Sequence, residues 1–271
     1  MSYARLAVGV VAAALFLLVN GPLRRLAQWR GWRLGRRTPV SFHRLLCAAL
    51  GVRVRVYGRP EAAARRLIVA NHVSWLDIPV LASIEPMTFL AKTEVGAPAL
   101  GGRIARLQGV IFVDRRRPRG IPRVNAQIVQ AMASGEPVVL FAEATTGDGN
   151  RLLRFRSSHF EAARRAASGE HGAEAVIQPV FLDYSRLAGM PLGRRERPLV
   201  AWYGDMTFFP HFHRFLGAGG IVCDVHFGAP IQVSRETGRK TIARSTEMEV
   251  RELAGRARGA KSAIPAGPVS S

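Results

Sequence analysis

The 271-residue sequence has few cysteines, few lysines and few acidic residues. Its two cysteines, Cys47 and Cys223, lie in apolar runs, which excludes a disulfide scaffold and predicts two small core residues. The chain has 39 basic against 19 acidic residues, a formal net charge of +20. Such an excess favours an anionic partner: nucleic acid, anionic lipid or an anionic substrate. Because no helix-turn-helix, zinc-finger or RNA-recognition pattern is present, we expect no nucleic acid.

The sequence also lacks an apolar run of full membrane-spanning length. Leu6–Val19 is apolar throughout but falls short of the ~20 residues that a spanning helix needs, and no small-residue cleavage pattern follows it. Arginines interleaved with Trp29 and Trp32 come next, a composition typical of a helix lying on an anionic leaflet. We therefore expect residues 1–37 to attach the chain to the membrane as a short anchor or an interfacial helix pair, with the rest on the cytoplasmic side. The alternative is a buried helix followed by a solvated basic one.

The remaining chain alternates short apolar strands with helical segments. This pattern predicts one α/β domain over residues 38–258, with a largely parallel central sheet flanked by helices. Residues 259–271 are predicted to be a disordered tail. No internal repeat and no cluster of metal-ligating residues is visible, so we expect neither a metal nor a bound cofactor.

The most informative stretch follows the predicted buried strand Leu67–Ala70. Asn71 and His72 end the apolar run at the place where α/β folds put reacting groups. Ser74 is predicted to cap a helix that contains Asp77. With His72 in the turn, the chain folds back and brings Asp77 to one imidazole nitrogen, which leaves the other nitrogen to act as a general base. Taken alone, the pair also fits a loop histidine beside an aspartate at a helix start.

Two more predicted strands end in polar residues. One ends in Asp114-Arg115, and an arginine fork can hold a phosphate or a carboxylate. The other, Val138–Ala142, runs into a polar, glycine-containing loop that begins at Glu143.

Two later segments give weaker signals. Ala175–Leu182 is an apolar strand that carries Pro179, as many edge strands do. Trp202–Phe215 is rich in aromatic residues, and we interpret it as membrane interface or acyl-pocket wall, or equally as plain core.

Four of these stretches resemble, in family order over about residues 50–230, the motifs of the glycerolipid acyltransferases, the lysophosphatidic acid acyltransferase family. They are Asn71-His72-Val73-Ser74-Trp75-Leu76-Asp77, the strand ending in Asp114-Arg115, the run Phe141–Thr146 and the strand with Pro179. The third departs from the family's Phe-Pro-Glu-Gly-Thr-Arg, because Ala142, Ala144 and Thr146 replace its proline, glycine and arginine.

The resemblance implies transfer of a fatty acyl group from a thioester of acyl carrier protein or coenzyme A to the hydroxyl of a lyso-lipid, at the bacterial cytoplasmic membrane. His72 would take the hydroxyl proton, and Asp77 would fix the imidazole tautomer. The residues expected to bind the acceptor's polar head are Arg115, Glu143, Thr145, Thr146 and Asp148.

The acceptor is the finer question. Lysophosphatidic acid serves most of the family and is the first choice. The polar run after Glu143 resembles the branch that acylates lyso-ornithine lipid, whose head carries an amine for Asp148 and a carboxylate for Arg115. A thioester hydrolase using the same His–Asp pair and a non-catalytic lipid carrier are the remaining alternatives.

Overall fold

The structure, a computed structural model, describes residues 7–9, 11, 12, 15, 16, 38–92, 111–113, 120–167 and 175–262. Its helices of residues 38–262 are α1 (Thr38–Leu50), α2 (Asp77–Ala82), α3 (Ile121–Ala133), α4 (Phe160–Ala166), α5 (Phe208–Gly217) and α6 (Arg239–Ser262). Its strands are β1 (Val52–Tyr57), β2 (Arg66–Ala70), β3 (Thr88–Lys92), β4 (Ile111–Val113), β5 (Val138–Phe141), β6 (Ala175–Leu187), β7 (Met190–Pro191), β8 (Ile221–Phe227) and β9 (Ile231–Val233). Short 3-10 helices, Ser157–His159 and Arg197–Leu199, lie before α4 and α5.

The described strands form one sheet in the order β1-β8-β6-β2-β5-β3-β4, with β7 and β9 also paired to β6. β2 runs parallel to β5 and β6, whereas β7, β8 and β9 run antiparallel to β6. The sheet is therefore mixed, and the prediction of a largely parallel sheet holds only in part. The apolar pattern of a strand carries no sign of its direction, which is decided by the connection that leads into it.

Helices cover both faces of the sheet. α1, α2 and α5 enclose one core, to which Val80 and Phe215 contribute. α3, α4 and α6 enclose the other, with Ile128 and Phe160 fully buried in it. Both cysteines are buried free thiols, which confirms the prediction that they are core residues.

The strand with Pro179 is a central one. β6 lies between β2 and β8, and all its residues from Ala175 to Ser185 are buried. β9 pairs with the start of β6 and β8 pairs from Val180 onward, so Pro179 lies where one antiparallel neighbour gives way to the next. The carbonyl of Pro179 accepts from the backbone N–H of Gly228 on that side, and the missing N–H therefore interrupts neither ladder.

Several predicted bounds differ from those observed. β6 continues to Leu187, beyond the predicted strand end at Leu182, and α6 continues to Ser262, beyond the predicted domain end at residue 258. Residues 7–9, 11, 12, 15 and 16 are helical, while the rest of the predicted membrane segment 1–37 lies outside the described residues. Arg115 and residues 263–271 also lie outside them. None of the described helices is both long and apolar enough to cross a bilayer.

The site region is positioned by two neighbouring parallel strands. Ala70 of β2 pairs with Phe141 of β5, so both strands reach the same edge of the sheet in register. The turn of residues 71–77 and the loop of residues 143–150 therefore emerge side by side. All five residues of β2 are buried, which makes the base of this edge rigid.

Candidate active site

His72 and Asp77 meet in the turn after β2. Nδ1 of His72 lies 2.7 Å from Oδ2 of Asp77, as the fold-back of the turn predicts. The imidazole ring stacks on Phe141 at the end of β5, with centroids 4.1 Å apart, and 17 % of the side chain remains exposed. No described residue is hydrogen-bonded to Nε2, so this nitrogen is the one that can meet a substrate.

The prediction that Ser74 caps the helix is wrong. α2 begins at Asp77 itself, and its capping residue, Leu76, makes no side-chain cap bond. The Asp77 carboxylate instead accepts the backbone N–H of Val73 at 2.7 Å and that of Ser74 at 3.0 Å, both on Oδ2. One fully buried carboxylate thus folds the turn and holds the imidazole at the same time.

Tyr184 completes the surroundings of Asp77, and the sequence analysis missed it. Its hydroxyl donates to Oδ1 of Asp77 at 2.7 Å from the buried part of β6. Burial raises the pKa of Tyr184 well above its usual value, and the nearby charge of Asp77 raises it further, so the hydroxyl stays protonated. The predicted strand ended at Leu182. Had it been extended by two residues, the alternation of side chains would have placed Tyr184 on the same face of the sheet as Leu182.

Asn71 connects the turn to β6, the strand beside β2 in the sheet. Its side-chain amide donates to the carbonyl of Leu182 at 3.1 Å, and its oxygen accepts the N–H of Leu182 at 2.8 Å. This reciprocal pair extends the contact between β2 and β6 past the last residue of β2. Asn71 therefore fixes the position at which the chain turns toward His72.

Glu143 braces the same turn from β5. Oε2 accepts the backbone N–H of His72 at 3.0 Å, and Oε1 accepts that of Leu153 at 2.8 Å. Burial raises the pKa of Glu143 to about 7, although the hydrogen bonds from the two N–H groups lower it in part. Its observed partners are backbone groups, and its predicted contact with the acceptor head stays a prediction.

The loop after Glu143 lies against the turn. The N–H of Gly147 donates to the carbonyl of His72 at 2.8 Å, and a Cβ on Gly149 would come within 3.1 Å of Val73. Ala144, which replaces the usual glycine of the third motif, has a φ of 61°. This left-handed conformation explains why glycine suits the position, and alanine there costs about 1 kcal/mol.

The polar residues predicted to bind the acceptor lie in this loop or outside the described residues. Thr145 is exposed and Thr146 is half-buried. Asp148 accepts the backbone N–H and the side-chain amide of Asn150, both at 2.9 Å, and the Asn150 side chain is the main cause that lowers the pKa of Asp148. Asp148 is therefore an ionised carboxylate at the site edge, whereas Arg115 lies outside the described residues.

Two arginines that the sequence analysis did not identify donate hydrogen bonds to backbone carbonyls of the loop of residues 143–150. Arg197 donates to the carbonyl of Gly149 at 2.9 Å. Arg258 of α6 donates to the same carbonyl at 2.9 Å and to that of Asn150 at 2.7 Å. Neither position carries a local signal, because each contact joins segments that are distant in the sequence.

The arrangement can perform general base catalysis. A half-buried imidazole with one nitrogen held by a buried carboxylate presents its other nitrogen to a hydroxyl. Within the described part of the chain, no three His, Cys, Asp or Glu side chains are grouped so that they could bind a metal ion. The described geometry of His72 and Asp77 suits transfer of a hydroxyl proton to the free nitrogen of the imidazole.

Comparison with known proteins identifies the class. Residues 53–183 match the protein family described as Acyltransferase. A solved structure, that of the 1-acyl-sn-glycerophosphate (LPA) acyltransferase PlsC from Thermotoga maritima, has the same fold, with a TM-score of 0.64, 16 % identity and coverage of 93 % of this chain and 95 % of that one. The family match and relatives of 41 % and 37 % identity, which cover most of both chains, show that the chain belongs to the acyltransferase family.

Its relatives within the family are more specific. A lyso-ornithine lipid O-acyltransferase from Brucella abortus is 41 % identical over 82 % of this chain and 83 % of its own. One from Rhizobium meliloti is 37 % identical over 98 % and 93 %. A 1-acyl-sn-glycerol-3-phosphate acyltransferase from Neisseria meningitidis is 34 % identical over 63 % and 64 %.

Proposed function

We propose that this acyltransferase transfers a fatty acyl group from a thioester of acyl carrier protein or coenzyme A to the hydroxyl of lyso-ornithine lipid. The observation that carries the proposal is the His72–Asp77 pair. Two relatives named lyso-ornithine lipid O-acyltransferase match this chain over four-fifths or more of both sequences. The sequence alone put lysophosphatidic acid first. The Neisseria meningitidis relative, a 1-acyl-sn-glycerol-3-phosphate acyltransferase, matches a shorter part of the chain. We therefore put lyso-ornithine lipid first and lysophosphatidic acid second.

The mechanism needs no covalent acyl-enzyme. Nε2 of His72 accepts the proton of the lyso-lipid hydroxyl as its oxygen attacks the thioester carbon. The C–S bond then breaks, and the imidazolium returns the proton to the leaving thiolate. Asp77 holds Nδ1 throughout and stabilises the imidazolium, while Tyr184 and the two backbone N–H groups keep Asp77 in place.

The head group of lyso-ornithine lipid has a cationic amine and an anionic carboxylate. Asp148 supplies a charge for the amine, and Arg115 one for the carboxylate. Lysophosphatidic acid is the second candidate, because Arg197 and Arg258 both reach the loop that carries Asp148 and their charge also suits a phosphate. Thr145 and Thr146 contribute hydroxyls to either head.

Purified protein, one acyl donor and each acceptor in a separate reaction test the proposal. We expect a diacyl product with lyso-ornithine lipid. Product with lysophosphatidic acid alone would make the second candidate correct. Release of free fatty acid in place of a diacyl product would make the protein a thioester hydrolase.

Asp148→Asn sharpens the test. Asparagine keeps an oxygen for the N–H of Asn150 but removes the charge. We expect it to impair the ornithine acceptor about tenfold and the phosphate acceptor little, because only the first presents an amine. Asp205→Asn, at an exposed position near the start of α5, is the matched control.

The site of action that we propose is the cytoplasmic face of the bacterial inner membrane. The net charge of +20 and the apolar and arginine-rich composition of residues 1–37 support it. Removing residues 1–37 should release much of the protein from membranes. If the truncated protein still sediments fully with membranes at high salt, its attachment lies elsewhere in the chain.

A further inference from the structure

α5 divides its aromatic residues between the core and the surface. Phe215 is fully buried and Phe212 is half-buried. Phe208 and Phe209, at the start of the helix, are 40 % and 79 % exposed. Phe209 is the most exposed of the large apolar side chains in the described part of the chain.

The exposed pair rests on a firm base. The Phe208 ring packs against Trp75, Trp202 and Phe212 at centroid distances of 5.5, 6.4 and 5.6 Å. Phe209 meets Phe208 edge to face at 5.5 Å. Phe208 is thus packed into a ring cluster, and Phe209 projects from it at the start of the helix. Aromatic rings held in this way are typical of surfaces that contact a membrane interface.

The cluster also includes a buried histidine. His211 is fully buried, and its Nδ1 accepts the indole N–H of Trp75 at 3.3 Å, while Nε2 donates to the carbonyl of Ala201 at 3.1 Å. Burial lowers the pKa of His211, which keeps the ring neutral and able to make both bonds. The helix end that carries Phe208 and Phe209 is therefore fixed to Trp75.

The charges around the pair suit an anionic surface. Exposed His213 and Arg214 follow it on α5, and the 3-10 helix that packs near α5 is preceded by exposed Arg194 and Arg195. Glu196 and Asp205 are the acidic residues of residues 193–217, against four arginines. Exposed phenylalanine beside arginine is the combination that binds the headgroup region of anionic bilayers.

The same cluster contacts the turn that holds His72. Trp75 follows His72 by three residues, and the backbone N–H of Trp202 donates to the carbonyl of Val73 at 2.9 Å. A bilayer held by the start of α5 would therefore lie beside the turn at which a lyso-lipid hydroxyl must arrive.

We propose that Phe208 and Phe209 form a membrane-docking surface that inserts into the headgroup region of an anionic bilayer and holds the active-site edge against the lipid. This surface is distinct from residues 1–37. It does not depend on which lyso-lipid is acylated.

An environment-sensitive fluorophore on Phe209→Cys tests the proposal in the full-length chain. Cys47 and Cys223 are both buried, and burial raises the pKa of Cys47 to about 12, so the introduced thiol is the one that reacts. Met248→Cys is the matched control, because Met248 is 65 % exposed on α6, across the sheet from α5. We expect the emission at position 209 to shift to the blue on vesicles of equal parts phosphatidylglycerol and phosphatidylcholine, and the emission at 248 to stay unchanged.

Three results would overturn the proposal: unchanged emission at 209 while the protein sediments with the vesicles, equal shifts at both positions, or no sedimentation. This measurement needs no turnover, so its failure is separate from failure of the proposed function.

A kinetic comparison gives a second readout. Phe209→Ser should raise the apparent KM for vesicle-borne lyso-lipid about tenfold, because it removes an aromatic ring from the lipid contact. Turnover of a soluble short-chain lyso-lipid and the behaviour of Met248→Ser should match those of the unmodified protein. An unchanged KM on vesicles for Phe209→Ser would contradict the docking role.

Discussion

The turn from Asn71 to Asp77 and the loop from Glu143 to Asn150 leave neighbouring strands, but they are held in different ways. Inside the turn, one carboxylate binds the imidazole and two backbone N–H groups within five positions, and Glu143 and Tyr184 add bonds from farther along the chain. The loop is held from distant parts of the chain, by the carbonyl of His72 and by Arg197 and Arg258. The catalytic pair therefore depends on a carboxylate close to it in the sequence, whereas the position of the loop that carries Asp148 depends on residues far away along the chain.

Replacing the base in the turn should have the largest effect. His72→Ala should lower the rate of acyl transfer by about 10²–10⁴-fold, because the hydroxyl then loses its proton acceptor. The rate with saturating donor and acceptor measures this, and circular dichroism checks the fold. Near-native turnover would refute the mechanism. Asp77→Ala is a poorer test, since it would leave buried N–H groups without an acceptor.

Glu143 joins the two regions and should make stability depend on pH. Its pKa is about 7 in the folded protein and 4.5 in an ordinary carboxyl, so the folded state holds the proton more tightly. The stabilisation from this group is full below pH 4.5 and is lost as the pH rises through 7, by about 3 kcal/mol. Denaturant unfolding of Glu143→Gln across this range should show a flatter pH dependence than the unmodified protein. Parallel curves would show that Glu143 does not titrate there.

Tyr184→Phe should weaken the turn without removing any catalytic group. We expect kcat to fall about tenfold with little change in KM, because the hydroxyl acts on Asp77 and not on the substrate. The pH profile of kcat should also shift, since Asp77 is then less well fixed against His72. Tyr57→Phe, a half-exposed tyrosine of β1, is the control and should change neither quantity. A rise in KM alone would assign Tyr184 to substrate binding.

Arg258→Met should affect the loop and leave the turn intact. The variant loses the donors to the carbonyls of Gly149 and Asn150, so we expect KM for the lyso-lipid to rise severalfold at nearly constant kcat. Arg256→Met, on an exposed part of the same helix, removes the same charge and should leave KM unchanged. Equal changes in both variants would indicate a general effect of charge.

The local sequence was sufficient where contacts are local. The strand Leu67–Ala70 and the approach of His72 to Asp77 follow from an apolar run, a polar pair and a spacing of five residues. The helix cap was wrong because the carboxylate of Asp77 takes the N–H groups that a Ser74 cap was expected to leave open. Both errors and successes here concern groups within one turn of the chain.

The sequence was insufficient where partners are far apart. Tyr184 lies 107 residues from Asp77, and Arg258 lies 109 from Gly149, so neither pairing leaves a pattern in any short window. The antiparallel direction of β8 and β9 could not be predicted for the same reason, since it depends on how the chain returns to the sheet. The aromatic segment was ambiguous because exposed and buried rings occur within one helix, and only the structure separates Phe215 from Phe209.

The position of β1 has a consequence for biosynthesis. β1 lies at the edge of the sheet and pairs there with β8, which begins about 160 residues later. At about 5–20 residues per second, a ribosome needs on the order of ten seconds to make the missing neighbour. During that interval the segment Val52–Tyr57 lacks the strand with which it pairs, and we expect the charges of Arg53 and Arg55 to disfavour its association with other nascent chains. Once β8 has been synthesised and has paired with β1, Arg55 donates to the carboxylate of Asp224. The same arginine therefore serves first as an exposed charge and then as half of an ion pair between the two strands.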